Sequence, residues 1–142
     1  MAIYDASNTN KSNRSVRRFY KDLDLDFGRN PITNDVNKIE DVDAVKRSVK
    51  NLVQTNFYER PFHPELGCGV RELLFENYTP LTGIFLKRKI EEVITNFEPR
   101  IKLVQIIARP DIDGNRYQLS ISFYVIGIPT AVTVETFLER LR

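Results

Sequence analysis

Two short motifs, Glu59-Arg60-Pro61 and Glu98-Pro99-Arg100, each set a carboxylate beside a guanidinium. Glycoside hydrolysis needs one carboxyl held protonated by an apolar pocket and a second one ionised nearby. A neighbouring guanidinium lowers a carboxyl pKa, so both glutamates point away from that chemistry. The chain also contains no tryptophan on which a sugar could stack. Asp22, Asp24 and Asp26 fall at calcium-loop spacing, but such a loop needs glycine at its sixth place and glutamate at its twelfth, which here are Phe27 and Thr33. One cysteine, Cys68, and one histidine, His63, supply neither an internal disulfide nor a metal-ligand cluster. No cofactor, metal or small-molecule substrate is expected.

Of the two carboxylate–guanidinium pairs, Glu98-Pro99-Arg100 has its position set by the backbone. Pro99 has no amide hydrogen and pushes Glu98 out of the α region, so a helix should stop there and the chain should leave extended. Glu98 and Arg100 then share one side of the chain. The pair can close a local salt bridge or reach for a partner, and an exposed pair on its own is worth little.

The elements around this corner follow from periodicity. Lys21 to Phe27 alternates strictly, which predicts a strand with Leu23, Leu25 and Phe27 on one face and the aspartates on the other. Gly28-Arg29-Asn30-Pro31 is a turn cluster. Val42, Val45, Val49, Leu52 and Val53 recur at helical spacing, predicting a helix over about Asp43 to Thr55, capped by Asp41 or Asp43 and turning Lys46, Arg47 and Lys50 outward. The loop from Asn56 to Gly69 holds two prolines and three aromatics that call for burial. A short helix follows from about Val70 to Phe75. A longer one opens at Thr79-Pro80, with Ile84, Phe85, Ile90, Val93, Ile94 and Phe97 as its buried face and Lys87-Arg88-Lys89 outside. Arg100 to Ala108 and Arg116 to Ile126 predict an antiparallel hairpin around Asp113-Gly114, with Tyr117, Leu119, Ile121 and Phe123 on one side. Ile128 to Val134 is a third β-prone run, its proline marking an edge or a start. Glu135 to Arg142 is either a last helical turn or a frayed extension.

At 142 residues, with 42% hydrophobic and 28% charged residues, the chain reads as one domain able to bury its own core. We expect a flexible, locally basic arm over 1–19 and a single domain over 20–142. A formal charge of +2 is too small to suggest a nucleic-acid binder, and no apolar run is long enough to span a bilayer. The start of the sequence lacks a signal-peptide pattern, so synthesis in a host cytoplasm is expected.

An ordered set of short motifs carries a resemblance. Leu52 to Thr55 gives Leu-x-x-Thr, Glu59 to Pro61 gives Glu-Arg-Pro, and Pro64 to Gly67 gives Pro-x-x-Gly. Leu74-Phe75-Glu76 and Glu98-Pro99-Arg100 complete the series. In this order the chain resembles the small baseplate wedge proteins of contractile-tailed bacteriophages, a family shared with type VI secretion baseplates, whose members act as sheath initiators and are sometimes described as lysozyme-like. One departure stands out: where the family has glycine just before Glu-Arg, this chain has Tyr58.

The resemblance implies a virion protein of the tail baseplate, structural and non-enzymatic. Its β-hairpin would accept a strand from the tail sheath protein through the Tyr117, Leu119, Ile121 and Phe123 region. Glu98, Pro99, Arg100, Glu59, Arg60 and Pro61 would hold wedge-core proteins, with tail-tube or hub-proximal proteins as further neighbours. A muramidase acting on peptidoglycan is the alternative. The element order predicts an α+β fold, with an antiparallel sheet of three to four strands, helices on one face and a C-terminal β-hairpin.

Overall fold

A computed structural model describes residues 20–77 and 79–139. The basic arm expected over 1–19 lies outside the described residues. The architecture is α+β, with, among the described residues, a two-stranded ribbon, three helices, and a three-stranded antiparallel sheet in the order β3-β4-β5.

The valine run forms α1, Asp41–Gln54. Val45, Val49, Leu52 and Val53 are buried, and Val42 packs beside them half-buried. Neither aspartate caps the helix by its side chain. The cap position is Glu40, which makes no such bond, and Asp41 instead accepts the Tyr20 amide at 3.3 Å. Helix α2 is Val70–Leu74. Helix α3, Pro80–Phe97, begins where Thr79 accepts the Thr82 amide at 3.2 Å, the side-chain cap that its sequence requires.

The buried face of α3 is Thr82, Leu86, Ile90, Val93 and Ile94. Ile84 and Phe85, expected inside, are both more than half exposed. Leu86 lies one turn from both Thr82 and Ile90, whereas Ile84 and Phe85 fall on the opposite side of a 3.6-residue helix. A threonine at a core position concealed that register.

Strands β3, Ile101–Asp111, and β4, Arg116–Val125, form the expected hairpin, and β5 runs Ala131–Glu139. The third strand therefore continues into the stretch read as a helical turn or a frayed end, as far as Glu139. Its inward set is Val132, Val134, Thr136 and Leu138. Thr136 interrupts the apolar alternation, and Gln54 Nε2 donates to its hydroxyl at 3.4 Å. At the hairpin turn Gly114 donates its amide to Asp111 Oδ1, and a Cβ there would stand 2.5 Å from Asp111 Oδ2.

Strand β4 is the centre of the sheet. Tyr117, Leu119, Ile121 and Phe123 are all 0% exposed and belong to the core that α1 and α3 cover. Each such side chain stabilises the fold by about 2 kcal/mol. This corrects their assignment as partner-contacting residues: their side chains are committed to the core, and only an outer strand offers a free edge.

The ribbon pairs β1, Lys21–Leu23, with β2, Lys38–Glu40. The expected strand through Phe27 breaks off after Leu23. Asp24 Oδ1 accepts the Asp26 amide at 3.1 Å, a local side-chain turn that competes with the ladder, and Phe27 adopts φ 53. Leu23, Leu25 and Phe27 are consequently exposed. Arg47 of α1, expected to face solvent, reaches across to Asp24 at 2.5 Å and Asp26 at 2.6 Å.

Candidate functional site

Helix α3 stops at Glu98, as Pro99 requires, but the chain turns instead of leaving extended: the Ile101 amide lies 3.5 Å from the Glu98 carbonyl. The turn delivers a fork. Arg100 Nε donates to Glu98 Oε1 at 2.6 Å and Nη2 to Oε2 at 2.7 Å, the bidentate geometry that guanidinium and carboxylate share. Ser48 of α1 donates its hydroxyl to the same Oε2 at 2.6 Å. The Arg100 guanidinium stands 5.6 Å from the Tyr20 ring centroid and 4.0 Å from Asp22. The corner thus fastens together α1, α3, β3 and the chain entering β1.

Glu98 is only 3% exposed, so the pair is not the solvated one an isolated reading suggests. Burial by itself raises the Glu98 pKa, but the hydrogen bonds from Arg100 and Ser48, together with the Arg100 charge, outweigh burial and hold it below the ordinary carboxylate range.

Glu59, Arg60 and Pro61 lie on the exposed crest of the 55–69 loop. Glu59 accepts the Asn56 backbone amide at 2.8 Å and the Asn56 side chain at 3.0 Å. The backbone bond is the main cause of its lowered pKa, and its nearest guanidinium is Arg71 at 3.9 Å instead of Arg60. The two sides of the loop approach so closely at Gly67 that a Cβ would lie 2.5 Å from the Asn56 carbonyl carbon. Tyr58 and Phe62, expected to be buried, are 83% and 91% exposed; backbone hydrogen bonds such as Tyr58 to Pro64 at 2.9 Å hold the loop instead. Burial pushes the Cys68 thiol at the loop's base up to about 12, which keeps it protonated at neutral pH.

A groove of about 350 Å³ joins the two motifs, with Arg60 and Glu98 both lining it and Leu23, Leu25, Leu66 and Phe97 forming apolar walls. Arg100, Pro99 and Glu59 flank this groove in sequence without lining it. The arrangement suits recognition: apolar walls, the paired carboxylate Glu98, and Arg60, which forms no ion pair among the described residues.

Known proteins place the chain. Residues 40–129 match the family model of the baseplate wedge protein gp25. The gp25 baseplate wedge protein of Enterobacteria phage T4 is 33% identical over 115 residues, covering 81% of this chain and 86% of that one. The chain belongs to the baseplate wedge protein gp25 family. It is a structural wedge component of a contractile tail, and its place is the tail baseplate. Two solved structures share the fold: a Geobacter sulfurreducens protein described as a candidate tail lysozyme, at TM-score 0.65 and 22% identity over 70% of this chain and 91% of that one, and a chain of the anti-feeding prophage baseplate, at TM-score 0.60 and 23% identity over 87% of each.

In this wedge protein the position where the resemblance led us to expect glycine keeps a glycine-like backbone, since Tyr58 adopts φ 65. The loop retains the left-handed turn at a steric cost of about 1–2 kcal/mol. Sequence reasoning missed Ser48, Tyr20 and Asp22 as parts of the Glu-Pro-Arg corner. Ser48 precedes the buried Val49 on α1 and carried a signal as a small polar residue beside a core stripe; Tyr20 and Asp22 carried none.

Proposed function

We propose that this wedge protein starts the tail sheath by accepting an extended segment of sheath protein alongside β5. Wedge-core neighbours dock in the groove between the Glu59 to Pro61 loop and the Glu98 to Arg100 corner. The observation that carries the reading is the asymmetry between the two free edges of the sheet. Ile126 donates its amide to the Arg100 carbonyl, so even-numbered positions of β4 face β3 and odd-numbered ones face β5. Across the register, where Ile121 pairs with Val134, even positions of β5 face β4. The amides of Thr133, Glu135 and Phe137 therefore point outward.

The β3 edge is defended. Val104 bulges out of register, Lys102 and Arg109 add charge, and Pro110 stands where the amide would otherwise point outward. Strand β5 has no proline and keeps an unbroken register with β4 over its whole length. An unpaired edge of this kind bonds any extended segment laid against it.

The reading is non-catalytic. Glu59 and Glu98 are both held below the ordinary range, the reverse of what a general acid needs. The test is Glu135→Pro, which removes an outward amide while leaving the bonds to β4 in place. Its melt should stay near the wild type while sheath polymerisation on baseplates carrying it fails. Sheath that grows normally from those baseplates refutes the strand-addition reading.

A further inference from the structure

Helix α3 carries a second apolar stripe that the core does not use. Leu81, Ile84 and Phe85 are 64%, 54% and 53% exposed and fall at i, i+3 and i+4, on the side of the helix opposite Leu86 and Ile90. Arg88 continues the same row one turn on, with Lys87 beside it, both exposed. Neither cation forms an ion pair among the described residues, although Glu91 and Glu92 follow one turn later. Three large apolar side chains in one row mark a surface built to be covered.

We propose that this stripe docks an amphipathic helix of another baseplate protein, one whose apolar seam carries Asp or Glu within a turn of its end. Geometry selects a helix. The backbone of α3 is bonded internally, so an extended segment laid on it would leave its own amides and carbonyls without partners, whereas a helix arrives with them satisfied. Rows at i±3 and i±4 are also the ridges by which helices pack. Charge selects the acid, because among the described residues no anion pairs with Lys87 or Arg88.

The same charge argues against two nearer occupants. The arm over 1–19 is itself basic, with Lys11, Arg14, Arg17 and Arg18. A second copy pairing antiparallel about Ile84 and Phe85 would set each Arg88 against Leu81, in a first turn that holds no acid. This inference rests on membership of the wedge family and is independent of the strand-addition reading, which concerns β5.

The test uses assembled baseplates with the photo-crosslinker p-benzoylphenylalanine placed at Phe85. It should capture a segment of another baseplate protein with apolar residues at helical spacing and an acid within one turn. Arg88→Glu should lower that capture on the order of tenfold, and reversing the partner's acid to lysine should restore it. No capture, capture of a second copy or of residues 1–19, or capture indifferent to Arg88→Glu would each overturn the proposal. Ile84→Ser with Phe85→Ser, both at exposed positions, should leave the melt unchanged while baseplate incorporation falls; incorporation at the wild-type level also overturns it.

Discussion

At Glu98 two opposing effects meet, burial raising the carboxyl pKa and the Arg100 and Ser48 bonds lowering it, and the bonds win. A carboxyl depressed in the native state stabilises the fold fully above its ordinary pKa, about 4.3. That contribution is lost as pH falls through the lower native value. Denaturation across pH should therefore show wild type and Glu98→Gln furthest apart above about pH 5 and converging below about pH 4; a gap that widens in acid contradicts this sign. Arg100→Ala leaves a buried carboxylate unpaired at a cost of about 3 kcal/mol, so its melting temperature should fall by about 10 °C. The sequence shows the pair plainly. It does not show the pair's burial, because Ser48 and Tyr20 come from distant parts of the chain.

At the scale of elements, what the sequence revealed tracks how far a pattern was set by neighbours along the chain. The alternation of β4 from Tyr117 to Val125 and the valine spacing of α1 were both legible, since period alone places those faces. The alternation at Leu23, Leu25 and Phe27 was equally clean and misled, because Asp24 turns the chain by bonding its own backbone. Thr82 and Thr136 hid two buried faces by standing as polar residues at core positions. In α3, Gly83 is a cost with no return among the described residues, where a Cβ would meet nothing within 4 Å. Gly83→Ala should stabilise the isolated protein by about 1 kcal/mol, raising its melting temperature by about 2–4 °C. An unchanged or lower melt would mean that this turn does not tolerate regular helix.

At the scale of the whole molecule, one sheet face and the corner do the work of folding, while both edge strands of the sheet, the groove beside the corner and the apolar stripe of α3 lie outside. The wedge family was legible from the order of short motifs, yet their roles in the fold divide. Leu52 is core, Glu98 and Arg100 hold the corner, and Glu59 to Pro61 stay on the surface. The hairpin was also legible, but its strand β4 is closed on both edges, so the acceptor we propose is β5, whose second half lies beyond the β-prone run read from the sequence. Amide hydrogen exchange along β5 tests this most directly, in the isolated protein and in baseplates before and after the sheath is added. In the isolated protein and in bare baseplates, the amides of Thr133, Glu135 and Phe137 should exchange quickly while those of Val132, Val134 and Thr136 are protected. Once sheath is present all six should be slow. Outward amides that exchange at the same rate with and without sheath would contradict strand addition at β5.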